Sequence, residues 1–157
     1  MARWKIKNVG MKGVAMAVPE NVVKTSDFDF FSQEEAEVFD NTVGIRRRHI
    51  APDNMCASDM CQAAAEKLLE ELGWERDSID VLLFESVTGD YRTPPTSCIL
   101  QDRLALSENC FCMDIPMGCC GCMYAITVAG NLLTTGNVKR ALLLIGDTAL
   151  RMGSVSY

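Results

Sequence analysis

Cysteine side chains crowd one short segment of this chain. Five of the eight cysteines lie between positions 110 and 122. The sequence from Asp114 to Tyr124 predicts a strand that passes through a glycine-flanked turn into a helix. A thiol at such an elbow lies beside the unpaired amides of the first helical turn and the positive end of the helix dipole, which stabilise thiolate over thiol. We therefore expect Cys119 or Cys120 to be a nucleophile at neutral pH.

The same elbow suits acyl transfer. Gly121 allows a ligand or a neighbouring backbone to approach closely, and the elbow amides can hold the oxyanion formed when a thiolate attacks a thioester. A second interpretation from spacing is that these cysteines are small core residues. A third is a metal site, since Cys119 and Cys122 lie one helical turn apart and Cys110 and Cys112 share a strand face. The apolar residues between them argue against zinc or iron-sulfur knuckles, so we predict no metal.

Composition limits the other possible functions. The chain has 157 residues, with 21 acidic and 15 basic side chains and a formal charge of -6. An acidic balance argues against broad nucleic-acid binding, so any phosphate contact must be local. The sequence shows neither the apolar core of a secretory signal nor about 18 uninterrupted apolar residues for a membrane span. We expect a cytoplasmic protein with reduced thiols.

The elements that position the cysteines alternate between strand and helix in what we interpret as one domain over residues 1–157. The sequence predicts a half-buried strand at Trp4–Val9. A helix is expected over 57–72, capped by Ser58 and ended by Gly73. The apolar run 79–87 is typical of a buried parallel strand.

The second part of the chain continues the same alternation. We expect a helix from Thr93 to Leu104, a strand at 110–115, a helix at 118–135 and a last strand at 141–145. This order indicates an α/β fold with a mostly parallel sheet and crossover helices. The helix at 118–135 is apolar almost all round and must be buried as the central helix. We infer a second covering layer from another half or another chain.

Four segments together carry a resemblance to a known family. They are Pro19–Val22, Gly44–Ala51, Thr93–Cys98 and Asp114–Tyr124, of which the second and fourth are the specific ones. With these segments the chain resembles the amino-terminal half of β-ketoacyl-acyl-carrier-protein synthase III, a thiolase-fold condensing enzyme. The resemblance covers nearly the whole chain and implies a thiolase-like half-domain that acts as a homodimer.

The resemblance assigns the nucleophile. Asp114, Cys119, Gly121, Tyr124 and Ala125 fill the positions of the family pattern, which places the acylated cysteine at Cys119. It implies a Claisen condensation in fatty acid biosynthesis: Cys119 takes an acyl group from acyl-CoA, and the carbanion left by decarboxylation of malonyl-acyl-carrier protein attacks the thioester. Coenzyme A thioester is then a substrate, and no cofactor is permanently bound.

The resemblance also implies a coenzyme A contact. Arg46 matches the arginine that helps to bind coenzyme A phosphates in the family, while we expect Arg47 and Arg48 to be solvated. The family tryptophan that stacks on adenine falls near Val38, where Phe39 is the sole aromatic neighbour in the sequence.

The catalytic histidine and asparagine of the family belong to its second half. The resemblance therefore implies that this stretch alone can be acylated but cannot condense. The alternatives are a related thiolase-superfamily enzyme of a polyketide or specialised acyl pathway, a cysteine-rich metal-binding module, and a non-catalytic subunit that shapes a partner's pocket. The presence of Cys119 argues against the last, because such subunits have usually lost the nucleophile.

Overall fold

A computed structural model describes residues 5–150 of the chain. Helices and strands alternate along this part, as the sequence predicts. In chain order they are β1 Val22–Lys24, α1 Gln33–Val43, β2 Arg47–His49, α2 Ala57–Leu72, β3 Val81–Glu85, α3 Thr96–Arg103, β4 Phe111–Ile115, α4 Gly121–Leu133 and β5 Ala141–Ile145.

A parallel three-stranded sheet forms the centre of the fold. Its strand order is β4-β3-β5, with Val81 of β3 level with Phe111 of β4 and with Ala141 of β5. The central strand β3 is buried along its whole length, as its nearly uninterrupted apolar sequence predicts. Helix α3 connects β3 to β4 and α4 connects β4 to β5, which confirms the α/β fold. A separate antiparallel pair is formed by β1 and β2.

Alternate side chains of β3 face two different cores. Leu82 and Phe84 pack on one side, in the core that includes residues of α2 and α3. Val81 and Leu83 pack on the other side, against Ala125 and Ala129 of α4. This alternation follows the two-residue period of a strand. It assigns Glu85 to the α4 side of the sheet.

Helix α4 is buried on one of its sides, the side that faces the sheet. Ala125 and Ala129 are buried against the sheet, and these small residues allow the helix backbone to come close. On the outward side Met123 is 64% exposed and Tyr124 is 52% exposed. The helix is therefore buried on its sheet-facing side, as the sequence predicts. Burial of its outward side by a second layer stays a prediction.

Helix α2 has the predicted bounds but a different cap. Gly73 follows it with φ +60°, as the sequence predicts for the C-terminal cap. The expectation that Ser58 caps its start is wrong. Cys56 is the N-cap residue, its amide donating to Asp59 Oδ2 at 2.7 Å. Ser58 lies inside the helix and donates its hydroxyl to Asp90.

The predicted first strand is not formed in the described residues. Trp4 lies outside them, and residues 5–9 have no strand conformation. Asn8 has a φ of +61°, which interrupts an extended backbone. Ile6 packs against Gly130 of α4, where an added Cβ would collide with the isoleucine side chain.

Helix α3 begins later than predicted because an acidic side chain fixes its start. The expected start was Thr93, whereas the helix begins at Thr96. Asp114 of β4 accepts the backbone amides of Thr96 at 2.7 Å and Ser97 at 2.8 Å. A carboxylate at this end satisfies two unpaired amides and interacts favourably with the helix dipole. The aspartate of the motif thus ties β4 to the neighbouring helix.

Replacing this cap should destabilise the fold. An Asp114→Asn variant keeps one acceptor oxygen but loses the charge and one amide contact, so we expect its free energy of unfolding to fall by about 1 kcal/mol. Urea unfolding of the full-length protein measures the change. Asp102→Asn on the exposed side of α3 is the matched control. Equal stability of the two variants would contradict the proposed cap.

Candidate active site

The predicted elbow lies between β4 and α4. Strand β4 ends at Ile115, a 3-10 turn spans Gly118–Cys120, and the α-helix begins at Gly121 and ends at Leu133. The helix predicted from 118 to 135 therefore opens with a tighter turn. Gly118 has a φ of +60°, a conformation that side-chain-bearing residues rarely adopt, so the turn needs glycine.

Two exposed cysteines follow this glycine. Cys119 and Cys120 are both exposed at the start of α4. The Cys120 thiol donates to the carbonyl oxygen of Met117, with 3.2 Å between Sγ and O. The Cys120 thiol therefore makes a hydrogen bond to the residue just before the turn. The assignment of the nucleophile to Cys119 stays a prediction.

Three other thiols belong to the protein interior. Burial is the largest influence on all three, raising the pKa of Cys61 to about 12, that of Cys112 to about 12, and that of Cys110 above its ordinary value. These thiols stay protonated at neutral pH and are unreactive. The interpretation of the cysteines as core residues is correct for Cys61 and Cys110, which are buried, while Cys112 is partly buried against the same core. Among residues 5–150 no group of three or more potential metal ligands comes together.

A buried acidic side chain lies under the elbow. Glu85, at the end of β3, is 3% exposed, and a Cβ on Gly121 would collide with its carboxyl group. Burial raises the pKa of Glu85, the Asp147 carboxylate adds to the shift, and the backbone amides of Gly118 and Met117 oppose it. Sequence reasoning missed this residue. The sequence feature that could have revealed it is a single charged residue at the end of an otherwise apolar strand.

Asp147 organises the neighbouring loop. It follows β5, and its Oδ1 accepts the hydroxyl of Ser86 at 2.9 Å, the amide of Val87 at 2.8 Å and the amide of Thr88 at 3.1 Å. These bonds join the ends of β3 and β5 at the same edge of the sheet as the elbow. Sequence reasoning did not find this residue either.

The arginine segment runs from the connection after α1 into β2. Arg46 is exposed between α1 and β2, and Arg47 is exposed on β2. Arg48 donates Nη1 to Thr25 Oγ1 at 2.9 Å and lies over the Phe39 ring, 5.2 Å from its centroid. The expectation that Arg48 is solvated is wrong, because it holds α1 against the two-stranded sheet. In the described part of the chain no hydrogen bond or ion pair joins Arg46 to Cys119.

A shallow aromatic cavity adjoins this segment. It has a volume of about 470 Å³ and is lined by Phe31, Glu34, Glu35, Val38, Phe39, Thr42 and Val43. The rings of Phe31 and Phe39 lie 5.2 Å apart, and Val38 is 65% exposed. In the sequence, one aromatic residue, Phe39, lies next to Val38. Folding brings a second, Phe31, beside Phe39.

Comparisons with known proteins agree with the sequence resemblance. No protein-family model matches the chain. It is 33% identical over 143 residues to β-ketoacyl-[acyl-carrier-protein] synthase III of Clostridium perfringens, covering 91% of this chain and 44% of the relative. It is 35% identical over 138 residues to the enzyme of the same name from Geobacillus kaustophilus, covering 88% of this chain and 44% of the relative. The chain thus spans less than half the length of these curated relatives.

Solved structures resemble the fold as well. A 3-oxoacyl-(acyl-carrier protein) synthase from Burkholderia xenovorans matches with a TM-score of 0.76 and 39% identity, over 83% of this chain and 38% of that one. A 3-oxoacyl-(acyl-carrier-protein) synthase III matches with a TM-score of 0.81 and 30% identity, over 88% and 42%. A tetronic acid condensing enzyme matches with a TM-score of 0.77 and 25% identity, over 88% and 43%.

Fold and elbow together define a thiolase-like condensing-enzyme architecture. Within that class, the resemblance of this chain to β-ketoacyl-acyl-carrier-protein synthase III is confirmed, and the match fits an amino-terminal half. In the described residues no helix combines the length and apolar character needed to cross a bilayer.

The buried carboxyl of Glu85 should make stability depend on pH. Its pKa is higher in the folded chain than in the unfolded one, so its stabilising contribution is present below the unfolded pKa and is lost as pH rises through the folded pKa. We expect Glu85→Gln to raise the thermal midpoint of the full-length protein at neutral pH, with a difference that shrinks on acidification toward about pH 4. Thermal unfolding followed by circular dichroism across this range measures it.

The matched control for this prediction is Glu71→Gln. Glu71 is exposed on α2 and lies 3.8 Å from the Lys67 ammonium group in a surface ion pair, which contributes little to stability. The prediction is wrong when the difference between Glu85→Gln and the unmodified protein grows, or stays constant, as the pH falls.

Proposed function

We propose that this chain carries the acyl-accepting part of a 3-oxoacyl-[acyl-carrier-protein] synthase III, which performs decarboxylative Claisen condensation in fatty acid biosynthesis. One observation carries the proposal. Cys119 is exposed in the 3-10 turn that starts at Gly118 and leads into α4, at the edge where the three parallel strands end. A nucleophile at this place has backbone amides beside it and open space in front of it.

The first half of the proposed reaction is acyl transfer. The Cys119 thiolate attacks the carbonyl carbon of acyl-CoA, and the oxyanion is stabilised by backbone amides at the start of α4. The carbon–sulfur bond to coenzyme A breaks, and the departing thiolate takes up a proton. Covalent catalysis thereby splits one difficult condensation into two easier steps.

The second half forms the carbon–carbon bond. Malonyl-acyl-carrier protein loses carbon dioxide, and the electron pair of the broken bond becomes a carbanion. The carbanion attacks the acyl carbon on Cys119, and the cysteine leaves as a thiolate. The histidine and asparagine that promote this step in the family lie in its second half, so we propose that this stretch alone is acylated but does not condense.

Donor recognition is proposed to involve Arg46 and the aromatic cavity. Arg46 is an exposed cation suited to a coenzyme A phosphate. The cavity lined by Phe31, Val38 and Phe39 supports stacking of a flat ring. Because Glu34 and Glu35 also border the cavity, it suits the adenine ring better than the phosphates.

The cellular setting follows from the chemistry. An exposed nucleophilic thiol with a second exposed thiol beside it must stay reduced, which favours the cytoplasm. We propose a homodimer that uses acyl-CoA and malonyl-acyl-carrier protein as substrates and holds no permanent cofactor.

A second candidate is a condensing enzyme of a polyketide or other specialised acyl pathway. The likeness to the tetronic acid condensing enzyme favours keeping this alternative. Mass analysis of the product that the full-length protein forms from acyl-CoA and malonyl-acyl-carrier protein separates the two. A 3-oxoacyl-carrier-protein product supports fatty acid synthesis, and no product with that pair supports the alternative.

Acylation should depend on Cys119 alone. We expect the full-length protein incubated with acyl-CoA to gain the mass of one acyl group, located by peptide mapping at Cys119. Cys119→Ala should abolish the adduct, because the thiol of Cys120, the other cysteine of the turn, donates to the carbonyl oxygen of Met117. Cys120→Ala is the matched control and should retain the adduct. Acylation that persists in Cys119→Ala, or that is absent from the unmodified protein, would refute the proposed role.

Donor affinity should depend on Arg46. Loss of one charged phosphate contact at an exposed site is expected to raise KM for acyl-CoA about three- to tenfold while kcat changes little. The increase should diminish at high salt, which screens exposed charges. Steady-state kinetics of Arg46→Ala in the full-length protein measure it, with Arg47→Ala as control. An equal rise in both variants would show that Arg46 makes no specific contact.

A further inference from the structure

Glu85 is a charged side chain where the fold offers an apolar environment. It ends the buried strand β3, whose preceding residues are all apolar, and it is itself 3% exposed. Among the described residues its Oε1 has no hydrogen-bond partner. A buried carboxylate without full compensation costs free energy, so its presence at this position calls for a reason other than packing.

The surroundings of Glu85 supply that reason. The carboxyl lies directly against Gly121, the first residue of α4, because any Cβ there would overlap its Oε1, Cδ and Cγ atoms. The backbone amides of Gly118 and Met117 lower the pKa of the same carboxyl, against the effect of burial. Glu85 therefore lies against the residue at which the elbow enters α4, two positions after Cys119.

We propose that Glu85 is a positioning residue for Cys119: its carboxyl packs against the backbone at Gly121 and thereby fixes the place where the turn that carries the thiol enters α4. This inference rests on the proposed function, in which Cys119 is the nucleophile. Glu85 touches the backbone of the turn and acts on the reaction through Cys119.

A positioning role and a purely structural role predict different results. When a residue whose only role is to stabilise the fold is replaced, the protein loses stability and Cys119 reactivity together. A buried carboxylate kept for positioning loses reactivity while stability stays level or rises, because removal of the charge removes its desolvation cost. Comparison of the two quantities in the same variants decides between the roles.

The experiment measures alkylation of Cys119 by iodoacetamide in the full-length protein. Peptide mass spectrometry gives the rate at Cys119, normalised to the rate at Cys98, an exposed cysteine on α3 in the same molecules. We expect Glu85→Ala to slow the normalised rate roughly 10- to 100-fold, the loss typical of a displaced reacting group. Glu85→Gln keeps an acceptor oxygen and should stay within a few-fold of the unmodified protein, with an equal or higher thermal midpoint.

The contact with Gly121 allows a second test. Gly121→Ala alone should slow alkylation of Cys119, because the new methyl group displaces the Glu85 carboxyl. The double variant Gly121→Ala/Glu85→Ala should be no slower than Glu85→Ala alone, since both changes act on one contact. Glu71→Ala on α2 is the matched control for loss of an acidic side chain and should change neither rate nor stability.

Several outcomes would overturn the inference. They are an unchanged normalised rate in Glu85→Ala, a rate that falls only in proportion to the thermal midpoint across all variants, and additive effects of Gly121→Ala and Glu85→Ala. Alkylation needs no acyl donor, so the test separates two failures. Dependence on Glu85 without acylation by acyl-CoA rejects the proposed function alone. Acylation at Cys119 without dependence on Glu85 rejects the positioning role alone.

Discussion

Backbone amides at one edge of the parallel sheet need acceptors, and the rest of the site depends on how they are satisfied. Each of the three parallel strands has an acidic residue at or just beyond its carboxyl end. Asp114 of β4 binds the start of α3, and Asp147 after β5 binds the loop after β3. Glu85 of β3 lies against Gly121, the first residue of α4. Two carboxylates thus fix the segment after a neighbouring strand, and the third contacts the helix that follows the elbow.

This arrangement explains how the proposed nucleophile, Cys119, can lie at an acidic edge of the sheet. The carboxylates of Asp114 and Asp147 bind amide groups, so their charges are directed at the backbone and partly neutralised there. The first turn of α4 adds unpaired amides and the positive end of its dipole at the place where Cys119 lies. The overall charge of -6 therefore says little about the local field at the thiol. The cationic segment with Arg46 is a separate feature beside the two-stranded sheet.

The sequence was informative where one local pattern determines one element. The helical spacing of apolar residues and the following Gly73 predict the bounds of α2. The elbow is predicted by an apolar strand sequence that is followed by Gly118 and then by the apolar sequence of α4. It failed where a side chain binds across the fold, as when Asp114 sets the start of α3 and Arg48 packs on Phe39. Glu85 was missed for the same reason. The sequence does not show what a charged residue at a strand end contacts, because that depends on the strand register and on the close approach of Gly121 in the folded chain.

The two faces of α4 connect packing with catalysis. Its inner face holds the helix close to the sheet through small residues such as Ala125, while Met123 and Tyr124 form an apolar outward face that residues 5–150 leave exposed. Apolar surface of this kind is buried in a stable enzyme. Because Cys119 lies two residues before the first residue of the same helix, a layer that covers the outward face would lie close to the thiol. We therefore predict that the second layer buries this face of α4 and borders the proposed nucleophile.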